Sequence, residues 1–293
     1  MTTPPFLNPK DKVGIIATAK RTEPEEIELG LQTLKGWGLI PVVGANAFKT
    51  DGFLAGTDDQ RAADLQLMLD DPDIKAIFFT KGGYGTLRII DRIDWTKFRQ
   101  NPKWLVGYSD ITLLHSHVHN FGIQSLHAVM LQGYPKSTAE SVESIRKVLF
   151  GDRLTYTFPS APDNRMGEAV SGQLIGGNLS MLYSIIGSDS DIDTNGKILF
   201  IEDIDEYLYH YDRMLLSLKR AGKLAGLKAI ILGSMVDIKE STIPFGRNER
   251  QMTLEHTAEY GYPVIFDFPA GHVSDNRALL LGAKLHITKQ GPT

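Results

Sequence analysis

Short apolar runs alternate with helical patterns over the first half of the chain. The runs fall at residues 13–17, 40–43, 76–80, 105–107 and 123–126. They carry no polar alternation, as is typical of strands that are buried on both faces of a sheet. Helices between such strands favour parallel pairing. The pattern therefore predicts an α/β domain built on a parallel sheet.

Helix signals lie between these runs. Thr22 with Glu25, and Thr57 with Gln60, have the spacing of a capping box. A further helix is predicted over residues 140–150. The stretch 158–167 then carries two prolines and few apolar residues, as a linker does. We therefore expect a first domain over 1–158, a linker over 159–167 and a second domain over 168–293.

The second half of the chain is less regular. It predicts strands over 197–201 and 229–232, helices over 209–221 and 249–260, and a closing hairpin over 278–287. An α/β second domain agrees best with this mixture.

Length and composition agree with two folded domains. The chain has 293 residues, of which 42% are hydrophobic and 23% charged, whereas a common domain has about 150 residues. Lys and Arg number 31 against 35 Asp and Glu, so the net charge is −4. No basic surplus indicates nucleic acid or an anionic membrane, and a small or peptidic partner is expected instead.

Cysteine is absent from the sequence. Disulfides, thiolate metal sites and a cysteine nucleophile are thereby excluded, so covalent catalysis would use oxygen or nitrogen. Residues 1–10 lack the pattern of a secretory signal, and no apolar run approaches the roughly 18 residues of a membrane-spanning helix. A cytoplasmic protein without a membrane segment is the expectation.

The strongest chemical signal is the run Gly107-Tyr108-Ser109-Asp110, between a predicted strand and a predicted helix. A serine on such a turn is held at the end of the sheet, and the first N–H groups of the helix face any charge that forms beside it. This is the arrangement of a nucleophile elbow, although the common G-x-S-x-G pattern needs glycine where Ile111 stands. The alternative is that Ser109 and Asp110 only cap the helix.

A glycine-rich turn, Lys81-Gly82-Gly83-Tyr84-Gly85, follows another predicted strand. Glycines there let backbone N–H groups approach a phosphate or an oxyanion closely. The dinucleotide pattern G-x-G-x-x-G fails because Arg88 takes the third glycine position, and a Walker lysine-serine pair is absent. Nucleotide binding is therefore not favoured, and an oxyanion donor or a plain tight turn remains.

Three histidines, His115, His117 and His119, cluster on the helix predicted after the serine turn. Imidazoles at short spacing are typical metal ligands. Only His115 and His119 share a helix face, however, and no carboxylate ligand lies nearby. Histidines on a partly exposed helix are the preferred interpretation.

A second set of residues matches the calcium-loop pattern D-x-[DN]-x-[DN]-G-x5-E: Asp191, Asp193, Asn195, Gly196 and Glu202. No second loop accompanies it, and residues 197–201 have a strand pattern where a helix should begin. A polar turn is therefore preferred, and no metal is expected. Glu202 then stands at the carboxyl end of a strand, where α/β sheets place functional groups.

The pair Gly271-His272 follows a further predicted strand, 264–266. The loop around it begins near Pro269 and continues into Ser274-Asp275-Asn276. A histidine in such a loop is freer than a core histidine to reach a cleft.

Taken in order, five motifs resemble the LD-carboxypeptidase family of serine peptidases, which includes muramoyltetrapeptide carboxypeptidase and the microcin-immunity peptidases. They are Lys81-Gly-Gly-Tyr-Gly85, Gly107-Tyr-Ser-Asp110, Gly176-Gly-Asn-Leu179, Leu199-Phe-Ile-Glu-Asp203 and Gly271-His272. The resemblance runs from about residue 13 to residue 287. It implies a Rossmann-like N-terminal domain, a smaller β-rich α/β C-terminal domain and a homodimer. One departure is visible, since the family usually has a Pro-Ser pair where this chain has Ala17-Thr-Ala-Lys-Arg21.

The resemblance also implies a reaction. It assigns a catalytic triad to Ser109, Glu202 and His272, and the N–H groups of Gly83 and Asp110 are then the natural oxyanion donors. The expected activity is removal of the terminal D-alanine from cytoplasmic murein tetrapeptides, across an L,D-amide, during peptidoglycan recycling. An acyl-enzyme would form on the serine, and no metal or cofactor is required.

Two alternatives stay open at this point. The first is a microcin-immunity type of peptidase acting on peptidyl-nucleotides, for which no aromatic residue can be placed against the nucleobase. The second is a two-lobed ligand-binding protein without catalysis. The lack of an export signal counts against this second alternative.

Overall fold

The computed structural model describes residues 1–158, 160–167 and 169–289. Two positions near the predicted domain boundary, Pro159 and Glu168, lie outside the described residues, as do residues 290–293 of the predicted second domain. The division at 159–167 therefore stays a prediction.

The first half of the chain builds a parallel sheet. Its strands are β1 (Lys12–Ile16), β2 (Ile40–Val43), β3 (Ile74–Phe79), β4 (Trp104–Gly107) and β5 (Ser125–His127). A sixth strand, β10 (Leu279–Leu281), comes from near the end of the chain and pairs antiparallel with β5. The order across the sheet is β10-β5-β4-β3-β1-β2, and β1 to β5 are mutually parallel. The predicted parallel sheet is confirmed.

Helices cover both faces of this sheet. They are α1 (Glu28–Gly36), α2 (Asp58–Asp70), α3 (Thr96–Gln100), α4 (Thr112–Asn120) and α5 (Ala139–Leu149). Successive side chains of β3 point to opposite faces of the sheet and pack in different apolar clusters. Ile77 packs with α2 and α4, and Phe78 packs with α1 and α5. Both side chains are fully buried. Burial on both faces explains the unbroken apolar runs of these strands.

The two predicted capping boxes have different outcomes. Thr57 and Gln60 form the predicted box at the start of α2. The box predicted for Thr22 and Glu25 is wrong, because Glu23 and Glu26 form it one residue later. Pro24 takes the first position of a 3₁₀ turn, which its fixed φ favours, and this makes Glu23 the cap. The Thr22 hydroxyl instead lies 3.1 Å from the Thr80 hydroxyl at the carboxyl end of β3.

The second half builds a smaller sheet. Its strands are β6 (Ala169–Asn178), β7 (Lys197–Ile204), β8 (Ala229–Val236), β9 (Val264–Ile265) and β11 (Lys284–Thr288), in the order β11-β6-β7-β8-β9. β6 to β9 are parallel and β11 is antiparallel to β6. The helices of this half are α6 (Leu179–Ser184), α7 (Leu208–Arg220) and α8 (Glu249–Thr257). The predicted fold class, a Rossmann-like parallel-sheet α/β domain followed by a smaller β-rich α/β domain, is confirmed.

The closing hairpin predicted over 278–287 is wrong. Leu279 in β10 pairs with His127 of the first sheet, whereas Lys284 in β11 pairs with Gln173 of the second. The two strands therefore extend different sheets. Each covers the edge of a sheet that would otherwise leave its backbone groups unpaired. β10 also joins the two halves, because Leu279 packs in one apolar cluster with Phe200 of β7.

Within the described ranges, no helix combines the length and the apolar character that crossing a membrane requires.

Candidate active site

Ser109 lies on a tight turn at the carboxyl end of β4. Its φ is +59°, in the left-handed region that residues other than glycine rarely adopt. A 3₁₀ turn, Ser109–Ile111, leads from it into α4. A Cβ on Gly107 would lie 2.9 Å from Ile111 Cγ1, so the turn has no room for a side chain there. Backbone strain at a polar residue on a sheet edge is typical of a functional position.

Glu202 and His272 form a pair on the second half of the chain. Glu202 lies on β7 with a fully buried side chain, and His272 lies in the loop after β9 with 14% of its side chain exposed. His272 Nδ1 is 2.6 Å from Glu202 Oε2. A carboxylate accepts from Nδ1–H, so the neutral ring keeps Nε2 as its free acceptor. The sequence separates these two residues by 70 positions, and the fold brings them into contact.

Two nearby carboxylates, those of Glu202 and Asp203, affect the pKa of His272. Burial lowers the pKa of His272, but the charge and hydrogen bond of Glu202, aided by the charge of Asp203, outweigh burial and raise this pKa above its ordinary value. The protonated ring is therefore stabilised in place, as a base that accepts a proton during catalysis requires.

The turn that carries the serine also contacts this pair. The Tyr108 ring centroid lies 4.7 Å from that of His272, so the residue before Ser109 packs on the imidazole. No hydrogen bond joins Ser109 to His272 in the described part of the chain. Tyr108 belongs to a motif of the sequence, but the motif gives it no role, because the sequence carries no signal of what the tyrosine ring contacts.

Asp203 and Glu206, the neighbouring acids, have other partners. Asp203 accepts from Asn178 Nδ2 and from the backbone N–H of Ser180, both at 2.9 Å, at the start of α6. Burial and the charge of Glu202 raise the pKa of Asp203 to about 7. Glu206 accepts from His210 in the first turn of α7. Asp203 reaches the start of α6 because its strand runs beside the end of β6.

The Gly176-Gly-Asn-Leu179 motif brings the two halves together beside the site. A Cβ on Gly176 would lie 1.9 Å from the Phe200 carbonyl oxygen, and one on Gly177 would lie 2.4 Å from Thr112 Oγ1. The Asn178 N–H donates to Thr112 Oγ1 at 2.9 Å. Glycines are required here so that β6 approaches both β7 and the start of α4.

The glycine-rich turn after β3 faces the serine. A Cβ on Gly82 would lie 3.1 Å from Ser109 Oγ, so the two turns are in contact. Gly83 has a φ of +112°, a conformation suited to glycine.

The three clustered histidines are buried, which corrects the expectation of a partly exposed helix. His115 contacts the Gly107 carbonyl oxygen at 2.8 Å, and His117 contacts Ser190 Oγ at 2.9 Å. The helix is covered by its own domain on one side and by the β6–α6 region on the other, which no local pattern reveals.

The acidic residues of the calcium-loop pattern are engaged in contacts within the protein. Asp191 pairs with Lys223 at 2.7 Å, Asp193 accepts from the backbone N–H of Asn195 at 3.0 Å, and Glu202 pairs with His272. Among the described residues, no group of three or more acidic, histidine or cysteine side chains is arranged to hold a metal.

Comparison with known proteins places the chain in a family. Residues 13–128 match the model of the LD-carboxypeptidase N-terminal domain, and residues 171–287 match that of the C-terminal domain. A probable murein peptide carboxypeptidase of Bacillus subtilis is 38% identical, over 96% of this chain and 90% of that protein. The chain belongs to the LD-carboxypeptidase family and has serine-type LD-carboxypeptidase activity.

Two solved structures are similar throughout. A muramoyltetrapeptide carboxypeptidase from Oxalobacter formigenes superposes with a TM-score of 0.82 at 27% identity, covering 95% of each chain. The microcin C7 self-immunity protein MccF, in complex with aspartyl sulfamoyl adenosine, superposes with a TM-score of 0.85 at 26% identity, covering 97% of this chain and 94% of that one. Because the chain belongs to a family of enzymes, the alternative of a two-lobed ligand-binding protein without catalysis is excluded.

Proposed function

We propose that Ser109, His272 and Glu202 hydrolyse the L,D-amide that precedes the terminal D-alanine of a murein tetrapeptide. The single observation that carries the proposal is the buried contact of His272 with Glu202, at 2.6 Å, beside the turn that holds Ser109 at a φ of +59°. A base with an orienting carboxylate and a serine on a strained turn are the parts of a hydrolytic triad.

The proposed reaction has two stages. Ser109 Oγ attacks the amide carbonyl carbon as its proton moves to His272 Nε2, and the N–H groups of Gly83 and Asp110 stabilise the negative oxygen. The C–N bond then breaks, and the amine of D-alanine takes the proton from His272. In the second stage His272 removes a proton from water, whose oxygen attacks the acyl carbon. The ester bond to Ser109 Oγ then breaks, the serine oxygen takes the proton back from His272, and the shortened peptide is released. Glu202 stabilises the protonated imidazole in both stages.

The substrate is supported by the relatives. Proteins that carry murein peptide and muramoyltetrapeptide in their names align with this chain along nearly its whole length. The resemblance further supports a homodimer that works in cytoplasmic peptidoglycan recycling. Both belong to the proposal.

A synthetic tetrapeptide that ends in an L-diamino acid and D-alanine tests this function. We expect mass analysis to show loss of one alanine residue, and no loss from the matched peptide that ends in L-alanine. An aminoacyl sulfamoyl nucleotide is the comparison substrate, because MccF is a structural neighbour. Cleavage of the nucleotide alone would replace the proposed substrate with that of the alternative.

A further inference from the structure

Arg61 on α2 is completely buried beneath the carboxyl edge of the first sheet. Its Nη1 donates to the carbonyl oxygens of Thr18 at 2.6 Å and Gly85 at 2.8 Å, and its Nε donates to that of Gly56 at 3.3 Å. These carbonyls belong to three separate loops. A buried guanidinium is costly unless its donors are paired, and its planar fork fixes the partners relative to one another.

Gly85 shows how tightly this contact is built. A Cβ there would lie 2.8 Å from both Arg61 Nη1 and the Thr18 carbonyl oxygen. The loop after β3 therefore rests directly on the guanidinium, with no side chain between them.

Asp110 ties the same loop to the serine turn. Its Oδ2 accepts from the backbone N–H of Thr86 at 2.9 Å, and the side chain is 1% exposed. The Thr86 hydroxyl lies 2.8 Å from that of Thr18, which belongs to the loop that Arg61 also holds. Hydrogen bonds thus connect the turn after β4 with the loops after β3 and β1.

We propose that Arg61 and Asp110 are positioning residues that set the separation of the two oxyanion donors. The inference rests on the proposed function, in which those donors are the N–H groups of Gly83 and Asp110. Gly83 stands three residues before Thr86, whose N–H is held by the Asp110 carboxylate. The turn that carries one donor is therefore tied to the turn that carries the other by the hydrogen bond from the Thr86 N–H to Asp110 Oδ2.

Small displacements of such donors are costly. Stabilisation of the oxyanion needs both N–H groups within hydrogen-bond distance of one oxygen atom, and a misplacement of about 1 Å can lower the rate roughly 100-fold. Loss of Arg61 or of the Asp110 carboxylate is therefore expected to act on the transition state, not on substrate affinity.

The variants Arg61→Lys and Asp110→Ala test the inference in the full-length protein. Active sites are counted by titration to completion with a fluorophosphonate, so that kcat refers to folded enzyme. We expect kcat per site to fall by about 10 to 100-fold with KM nearly unchanged. Binding of a peptide boronic acid, which becomes tetrahedral on the serine, should weaken by a similar factor. Asp110→Asn should lose less of its kcat than Asp110→Ala does, because the amide oxygen can still accept from the Thr86 N–H.

Lys103 offers a matched control. Its buried ammonium also donates to backbone carbonyls, those of Met68 at 2.8 Å and Asp71 at 2.6 Å at the end of α2. Lys103 precedes β4, however, and so lies at the opposite end of this strand from Ser109. We expect Lys103→Met to lower the melting temperature without changing kcat per site.

Two results separate the possible failures. If Arg61→Lys and Asp110→Ala behave like Lys103→Met, less stable but with normal kcat and boronic acid binding, both residues are structural and the inference is overturned. If the fluorophosphonate does not label Ser109 in the unmodified protein, the proposed function itself fails.

Discussion

At the residue scale, one question is which acidic residue orients His272. Four candidates lie close together in the sequence: Glu202, Asp203, Asp205 and Glu206. The sequence favours Glu202 because it directly follows the apolar run of β7. In the structure Asp203 accepts from Asn178, Asp205 pairs with Lys239 and Glu206 pairs with His210. Of the four, only Glu202 forms a hydrogen bond with His272. That contact could not be derived from spacing, because His272 lies on a different element.

We predict that Glu202→Gln lowers kcat by about 10⁴-fold, as loss of a triad carboxylate does. The amide cannot stabilise the charged imidazole, although its size preserves the fold. Glu206→Gln is the matched control, since Glu206 pairs with His210, and it should stay near the unmodified rate. Steady-state hydrolysis of the tetrapeptide measures both. An inactive Glu206→Gln beside an active Glu202→Gln would require a different triad.

The raised pKa of His272 predicts a pH profile. His272 must be neutral to accept the serine proton, so kcat/KM rises as pH increases through this pKa. Glu202 raises the pKa, and we therefore expect the midpoint above about 6.5. In Glu202→Gln only burial and the weaker effect of Asp203 remain, and the midpoint should move down.

Asp203 provides the control for this profile, because its pKa is raised to about 7 and it titrates in the same range. The rising limb should persist in Asp203→Asn. Two results would contradict the assignment of this ionisation to His272. One is loss of the rise of kcat/KM with pH in Asp203→Asn, and the other is an unchanged midpoint of that rise in Glu202→Gln.

At the scale of elements, apolar runs predicted the first sheet well. Each of its predicted parallel strands lies within two residues of the observed one, because burial on both faces produces a strong signal. The calcium-loop pattern, in contrast, matches the sequence but does not predict the contacts of its residues. A pattern of acidic residues specifies ligand types, but the strand β7 carries Glu202 away from Asp191 and toward His272.

Chelation tests this interpretation of the calcium pattern. We predict that EDTA and added calcium leave kcat unchanged, because Asp191 is paired with Lys223 and Glu202 with His272. Activity assays after dialysis against EDTA measure it. Loss of activity that calcium restores would show that the loop binds metal after all.

Close packing of β6 against α4 gives a second prediction at this scale. Gly177→Ala should lower the free energy of unfolding by about 1–3 kcal/mol, because the new methyl group meets Thr112 Oγ1 at 2.4 Å. Gly187→Ala is the control, since Gly187 also has a positive φ but open space around it. Urea unfolding compares the two. Equal losses would mean that backbone conformation, and not packing, decides the effect.

At the scale of the whole molecule, the candidate site is assembled from both halves of the chain. Ser109 follows a strand of the first sheet, whereas Glu202 lies on a strand of the second sheet and His272 lies in the loop after β9 of that sheet. The sequence predicts two units and their class, but it does not show how they meet. Local patterns assigned β10 and β11 to one hairpin, and only the complete fold shows that these strands extend different sheets.

Replacement of the serine tests the central claim most directly. Turnover of the tetrapeptide by Ser109→Ala should fall on the order of a million-fold, as loss of a triad serine does, because no acyl-enzyme can form. The melting temperature should not fall, since the Ser109 side chain is only partly buried and its strained turn gains no stability from the hydroxyl. D-Alanine release by the purified variant, measured against unmodified enzyme, gives the answer. A folded Ser109→Ala protein that keeps more than a few per cent of the unmodified rate would contradict the assignment of Ser109 as the nucleophile.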